Sequence, residues 1–269
     1  MVRRSAASAA AEFAAEWAGT RRVAVGPWRM RYREAGRGPA VVLVHGLGVS
    51  ADYWYRNGPT IAAAGYRVLA PDLPGFGRTE GPRDGLSVPR QAGALLAWAE
   101  TLGIGSAAYV GHSLSCQTVL ELAAHRPERV CGLVLAAPTG DPRGNRLLRE
   151  AVGLVRDVPR ESVRLAIEVA AAYLRAGPVR VWRTWLAGAR EDAFREVDRV
   201  RAPSVVVVGR RDPLVRPAFA ESLARSLPAG RVEWVERGAH AVIFDPAEEF
   251  NRVVLRFLAE VRATLPERP

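Results

Sequence analysis

The chain has 269 residues, of which 49% are hydrophobic, and a formal net charge of +10 at pH 7. This length and hydrophobic content suffice for one large α/β domain with a full core. All of its basic residues are arginines, scattered along the chain without a nucleic-acid-binding motif beside them. We therefore expect a solvated basic surface and no nucleic-acid partner.

Targeting and metal-binding patterns are missing from the sequence. The two cysteines and four histidines have neither the spacing of metal ligands nor that of a disulfide framework, so we expect no metal. Glu12 and Glu16 interrupt the alanine-rich start, which argues against a secretory leader, and no stretch is apolar enough for a transmembrane segment. We expect a cytoplasmic protein in which residues 1–20 form a helical extension outside the main core.

Strand patterns alternate with helical ones along most of the chain. In residues 28–34, apolar side chains alternate with Arg29, Arg31 and Arg33, which predicts an antiparallel strand with one wet face. Continuous apolar runs predict buried parallel strands instead. Such runs are found at residues 40–44, 107–110, 132–136 and 204–208, and further strands are predicted at residues 22–25, 66–70 and 231–235.

The alternation stops between residues 138 and 200, where only helices are predicted. Two apolar helix faces are formed by Leu148, Val152 and Val155 and by Val163, Ile167 and Leu174. We interpret residues 138–200 as a helical cap or lid, inserted between the two parts of an α/β core at residues 21–137 and 201–269. Two aromatic residues of this insert, Trp182 and Trp185, are candidates for lining an apolar pocket, although packing of the cap on the core would explain them equally well.

The sequence AAYVGHSLS, residues 107–115, is the stretch with the clearest chemical meaning. It runs from an apolar strand through a sharp turn that carries Ser113 into a helix, which is the context of a nucleophile elbow. Small residues must flank such a turn; Gly111 satisfies this need, and Ser115 stands where the usual pattern has glycine. We predict Ser113 as the nucleophile, with His112 beside it as a pocket residue.

A second loop, HGLG at residues 45–48, directly follows a buried strand. Its glycines allow backbone N–H groups to face a cavity, so we predict the N–H of Leu47, together with that of Leu114, as the oxyanion hole. His45 is expected to shape this loop by hydrogen bonding rather than to catalyse.

Asp212 and His240 follow two later strands of the predicted sheet. Ser113, Asp212 and His240 occur in the order nucleophile, acid, base, each beyond the carboxyl end of a strand, where sites collect in open α/β sheets. A serine hydroxyl becomes nucleophilic when a histidine takes its proton, and a carboxylate orients that histidine. These three residues are therefore the predicted catalytic triad.

Taken together, these motifs resemble those of the α/β-hydrolase family across residues 23–265. The resemblance implies an α/β fold of three layers, with an eight-stranded, mostly parallel sheet, a helical cap after the sixth strand and no cofactor. In some lipases of the family the acid follows an earlier strand, which makes Asp141 the reserve acid. The motifs that carry the resemblance are residues 45–48, 72–77, 111–115, 209–212 and 238–240.

The leading functional hypothesis is a serine hydrolase of the carboxylesterase or lipase type, acting on a small or medium apolar acyl ester. Acyl transfer and carbon–carbon bond hydrolysis by the same triad are the enzymatic alternatives. Family members that hydrolyse carbon–carbon bonds often carry tryptophan directly after the catalytic histidine, where this chain has Ala241. A ligand-binding receptor on the same fold is the alternative from another class, because a fold does not determine a function. The sequence leaves the oligomeric state open.

Overall fold

A computed structural model describes residues 6–143, 146–190 and 195–262 of the chain. The described residues form one eight-stranded sheet with helices on both faces. The strands are β1 (Arg21–Val25), β2 (Trp28–Ala35), β3 (Ala40–Val44), β4 (Arg67–Pro71), β5 (Ala107–His112), β6 (Val130–Ala136), β7 (Ser204–Gly209) and β8 (Arg231–Val235). The helices are α1 (Ala6–Ala18), α2 (Gly58–Ala63), α3 (Val88–Thr101), α4 (Ser115–His125), α5 (Arg146–Asp157), α6 (Val163–Ala176), α7 (Pro178–Arg190), α8 (Pro217–Arg225) and α9 (Ala247–Glu260).

The strand order in the sheet is β1-β2-β4-β3-β5-β6-β7-β8. Strands β1 and β2 pair antiparallel with each other, β2 pairs antiparallel with β4, and all later pairings are parallel. Every residue of β5 and β7 is buried, as expected for central strands that are covered by helices on both faces. The predicted fold class, an α/β fold with a mostly parallel sheet, is confirmed.

Strand β2 departs from the alternation predicted for it, because Arg31 is completely buried. Its guanidinium contacts both Asp52 and Asp72, and the distance to Asp72 Oδ1 is 3.1 Å. Asp72 also accepts the backbone N–H groups of Ala51 at 2.7 Å and Arg78 at 2.8 Å. A buried charge is tolerated only when it is paired and hydrogen-bonded, and this network supplies both conditions for Arg31 and Asp72.

Helix α1 is not the detached extension that we expected. Trp17, near its end, is only 2% exposed and belongs to the hydrophobic core. The indole ring lies against Gly58 at the start of α2, where a β-carbon would overlap it. The glycine therefore creates the slot in which α1 is anchored.

Helices α5, α6 and α7, which we call the cap helices, lie between β6 and β7 in the chain. The apolar faces predicted for α5 and α6 point outward: Leu148, Val155, Ile167 and Leu174 are all exposed. The inner faces differ between the two helices: α5 turns Glu150 and Asp157 inward, whereas α6 packs Leu165 and Ala176 into the hydrophobic core. No helix in the described ranges is long and apolar enough to cross a membrane.

Candidate active site

The turn between β5 and α4 holds Ser113 in a strained conformation with φ of +55°. Gly111 makes this possible, because a β-carbon there would lie 2.7 Å from the backbone oxygen of Ser115 and 3.0 Å from the backbone nitrogen of Cys116. The hydroxyl of Ser115 donates to the backbone oxygen of His45, so serine fits where the usual pattern has glycine. Such strain at an exposed hydroxyl is characteristic of nucleophile elbows.

Three of the predicted site residues form one chain of hydrogen bonds. Ser113 Oγ lies 3.0 Å from His240 Nε2, and His240 Nδ1 lies 3.0 Å from Asp212 Oδ2. The other carboxylate oxygen of Asp212 accepts the N–H groups of Leu214 at 2.7 Å and Val215 at 3.1 Å. These bonds fix the carboxylate, which in turn fixes the imidazole with its Nε2 toward the hydroxyl.

Asp141, the reserve acid, takes part in a different interaction. Its Oδ2 accepts a hydrogen bond of 2.6 Å from Arg216 Nε, and its Oδ1 accepts the N–H of Arg143 at 3.0 Å. The carboxylate that contacts His240 is that of Asp212. The geometry therefore favours the acid after β7 over the one after β6.

A cavity of about 300 Å³ opens in front of Ser113. Trp185 lines it, and the indole N–H of Trp185 donates to Glu150 Oε2 at 2.8 Å. Trp182 does not meet our expectation, because it is 56% exposed and packs edge-on against the outer side of Trp185, with 5.1 Å between ring centroids. The apolar lining comes from both the core and the cap helices. It comprises Leu47, Val49, Leu114, Leu154, Val158, Leu165, Ala166, Val169, Leu214 and Ala241.

The two backbone N–H groups predicted as an oxyanion hole belong to cavity-lining residues. Neither the N–H of Leu47 nor that of Leu114 has an acceptor among the residues that the structure describes. The N–H of Ser113 itself is occupied, since it donates to the backbone oxygen of Ala136 at 2.9 Å. His45 shapes the loop as expected: its Nε2 accepts the N–H of Leu73 at 3.0 Å, and its Nδ1 donates to the oxygen of Gly46 at 2.8 Å.

His112 also lines the cavity and is held neutral. Its Nε2 donates to the backbone oxygen of His240 at 3.0 Å, while its buried Nδ1 has no partner within the described part of the chain. Burial, together with the nearby charge of His240, lowers the pKa of His112 to about 3. His112 therefore supports the loop of His240 and presents an unprotonated nitrogen inside the protein.

Two carboxylates of the cap, which the sequence did not single out, contact the loop of His240. Asp157 Oδ1 accepts the backbone N–H of His240 at 3.1 Å, and Glu161 Oε1 accepts that of Ala241 at 2.7 Å. The spacing of the residues in α5 was the one signal in the sequence. Its buried residues, Glu150, Gly153 and Asp157, are three and four positions apart and therefore share a helix face. That spacing marks a polar inner face.

These carboxylates add to the effect of Asp212 on the electrostatics of the site. Burial raises the pKa of Glu161 to about 8, and its neighbour Asp157, whose own pKa is also raised by burial, adds to the shift. Burial alone would lower the pKa of His240, but the negative charges of Asp212, Asp157 and Glu161 outweigh it and raise that pKa to about 9. Burial opposes the ionised form of Asp212, yet the charge and hydrogen bond of His240 keep the pKa of this carboxyl below its usual value.

One group of side chains with metal-ligating atoms lies outside the cavity. Glu121, His125 and Glu196 place their ligand atoms within 4.8 Å of one another. The distance from His125 Nε2 to Glu196 Oε2 is 3.0 Å, which a simple ion pair also explains. The group borders a separate groove and has no contact with Ser113.

Comparisons with known proteins agree with this geometry. The family model described as alpha/beta hydrolase fold matches residues 39–158, and the one described as serine hydrolase matches residues 99–243. The chain therefore belongs to the α/β-hydrolase fold family and is a serine hydrolase.

Individual relatives have different activities. The chain is 31% identical over 268 residues to a 2-hydroxy-6-oxononadienedioate/2-hydroxy-6-oxononatrienedioate hydrolase from Burkholderia vietnamiensis, covering 86% of this chain and 91% of that protein. A thermophilic esterase from Thermogutta terrifontis superposes with a TM-score of 0.79 and 21% identity, over 90% of this chain and 99% of that one. An enol-lactonase from Burkholderia xenovorans superposes with a TM-score of 0.74 and 22% identity, over 89% and 100%. The two structural matches indicate the shared fold alone.

Proposed function

We propose that the protein hydrolyses an uncharged ester or lactone of small or medium size through an acyl-enzyme on Ser113. The observation that carries this proposal is the hydrogen-bond chain of Ser113, His240 and Asp212 at the floor of a largely apolar cavity. His240 takes the proton of the hydroxyl as it attacks the carbonyl carbon, and Asp212 stabilises the resulting imidazolium. The N–H groups of Leu47 and Leu114 then receive the oxyanion.

The cap is part of this proposal. In this proposal the cap helices act as a lid over the hydroxyl, with α5 and α6 supplying much of the cavity wall. A cavity of about 300 Å³ is at the small end of ligand pockets. It therefore favours short acyl groups over long ones.

Carbon–carbon bond hydrolysis is the second candidate, because the relative from Burkholderia vietnamiensis is named for it. That name describes a dicarboxylate, and a dicarboxylate needs cationic partners when it is bound in a buried site. No arginine is among the described residues that line the cavity, whereas Glu150, Asp157 and Glu161 are. Ala241 also lines the wall where carbon–carbon hydrolases often have tryptophan. These observations support the uncharged ester or lactone.

The test is a panel of p-nitrophenyl esters from acetate to octanoate, assayed beside a 2-hydroxy-6-oxo-dienedioate. We expect turnover of the short and medium esters, its loss in Ser113→Ala, and little turnover of the dienedioate. The matched control is Ser115→Ala, which removes a neighbouring hydroxyl that bonds to His45 rather than to His240. Faster turnover of the dienedioate than of any ester would replace our proposal with the second candidate. Tight binding of an ester without turnover would favour a receptor.

A further inference from the structure

The cap helices also carry apolar side chains on their outer faces. All the large hydrophobic side chains that are substantially exposed within the described residues lie between Leu148 and Trp182, and their exposed fractions range from 38% to 78%. In α6, Val163, Ile167 and Leu174 recur at a helical spacing and form one outward stripe. An apolar surface concentrated on one part of a protein in this way marks an interaction site.

Arginines accompany these apolar side chains. An exposed apolar residue is followed directly by an exposed arginine four times in the cap. These pairs are Val155–Arg156, Val163–Arg164, Leu174–Arg175 and Trp182–Arg183. Neighbouring helix positions are about 100° apart, so each arginine flanks the apolar stripe rather than interrupting it.

Negative charge is scarce on the same surface. The cap helices contain eight arginines and three carboxylates. Two of these carboxylates, Glu150 and Asp157, are buried and line the cavity. The third, Glu168, is paired with Arg164 at 3.0 Å. Arg183 pairs with Asp84, whereas along the described chain no carboxylate pairs with Arg156 or Arg175, so the outer face of the cap is both apolar and cationic.

We propose that the outer face of the cap docks on an anionic lipid surface. Apolar side chains would enter the boundary of the acyl chains, while the flanking arginines would extend along the surface to the lipid phosphates. Arginine suits this task, because its planar fork binds phosphate oxygens in pairs. Basic side chains beside an apolar helix face are typical of segments that lie in the plane of a membrane interface.

Charge complementarity favours an anionic lipid surface, rather than a second copy of the chain, as the partner of this face. A two-fold interface would bring the same cationic surface against itself, with Glu168 as the one exposed carboxylate of the cap helices to offset it. An anionic bilayer supplies the missing negative charge and an apolar layer together.

The docking face is continuous with the cavity. Leu154 and Val158 line the cavity wall and are 38% and 64% exposed. A protein lying on its cap would therefore place the cavity entrance at the lipid surface. This inference concerns binding, and it is measured without turnover, so its failure is distinguishable from failure of the proposed ester hydrolysis.

The first experiment is co-sedimentation of the full chain with vesicles of phosphatidylglycerol or of phosphatidylcholine, at low and at high salt. We expect binding to phosphatidylglycerol that weakens with salt, and at least tenfold weaker binding to phosphatidylcholine. In the triple variant Val163→Ser, Ile167→Ser and Leu174→Ser, binding to phosphatidylglycerol should fall about tenfold at both salt concentrations. All three side chains are exposed and none lines the cavity, so the circular dichroism spectrum and the thermal unfolding of the variant should match those of the parent and report correct folding.

A matched pair of arginine variants separates a docking face from general cationic attraction. At low salt the cap variant should bind phosphatidylglycerol about tenfold more weakly than the parent. In the control, exposed arginines of α8 and α9 are replaced instead, so that its net charge equals that of the cap variant. The control should bind as the parent does. The cap variant is Arg156→Gln, Arg164→Gln and Arg175→Gln, and the control is Arg225→Gln, Arg252→Gln and Arg256→Gln.

Three results would overturn the inference. One is no sedimentation with phosphatidylglycerol at low salt, and another is an equal loss of binding in the two arginine variants. The third is a stable dimer in sedimentation velocity that the triple serine variant dissociates. That last result would assign the apolar face to a second copy of the chain.

Discussion

The carboxylates of Asp157 and Glu161 should shift the pH range in which the enzyme works. They help to raise the pKa of His240 to about 9, and His240 can accept the serine proton only when it is neutral. Activity should therefore rise with pH through the pKa of His240. The double variant Asp157→Asn and Glu161→Gln removes both charges, while the amide oxygens can still accept the N–H groups of His240 and Ala241.

The size of the shift follows from how close these charges lie. An opposite charge within about 4–6 Å shifts a pKa by roughly 1–3 units. We take the lower end, because Glu161, whose pKa is about 8, holds a proton through the neutral range and adds little charge there. The midpoint of the rise in kcat/KM with pH should therefore lie about one pH unit lower in the double variant than in the parent. At pH 6.5 its kcat/KM should exceed that of the parent about tenfold.

The assay is kcat/KM for a p-nitrophenyl ester between pH 5 and 10, for the parent, the double variant and a control. Glu168→Gln is the control, because it removes a cap carboxylate that is paired with Arg164 outside the cavity. Its profile should match that of the parent. An unchanged midpoint in the double variant, or a midpoint moved to higher pH, would refute the reasoning.

Three further predictions concern other parts of the site. Asp212→Asn should lower kcat by about 10⁴-fold with little change in KM, because the imidazole loses the group that orients it; a loss below about tenfold in steady-state kinetics would contradict this. The pKa of His112, about 3 in the folded protein, lies below its usual value of 6.5, so stability is lost as pH falls below 6.5. Between pH 6.5 and 5 the parent should lose about 2 kcal/mol of unfolding free energy more than His112→Gln, as measured by urea titration, and equal slopes would contradict this. Gly188→Ala should change stability by less than about 1 kcal/mol in the same titration, because its β-carbon would overlap only Cδ1, the flexible end of Leu114, and alanine favours the helix; a larger loss would mean that the side chain of Leu114 cannot shift.

The fold and the hydrogen-bonded group of Ser113, His240 and Asp212 could be predicted from the sequence for the same reason. Buried parallel strands appear in sequence as continuous apolar runs, and β5 and β7 follow this pattern closely. Since the carboxyl ends of parallel strands lie at one edge, residues just beyond them come together whatever their separation along the chain. Ser113 and His240, which are 127 positions apart, are an example.

The inner face of the cap was not predictable in the same way. Helical periodicity tells which residues share a face, as Val163 and Ile167 do, but not which way that face points. The direction depends on what lies opposite: Asp157 of α5 faces the N–H of His240, which needs an acceptor, whereas Leu165 of α6 packs into the hydrophobic core. Arg31 shows the same limit, because its burial depends on Asp72, 41 positions further along the chain.

The slot that Gly58 provides for Trp17 has a consequence for the order in which the protein is made. Helix α1 is the first described element to leave the ribosome, yet the surface that receives its indole belongs to α2, about forty residues later in the chain. Domains commonly acquire structure while synthesis proceeds from the N-terminus. Helix α1 must therefore wait with its tryptophan uncovered until α2 and the strands beside it have emerged.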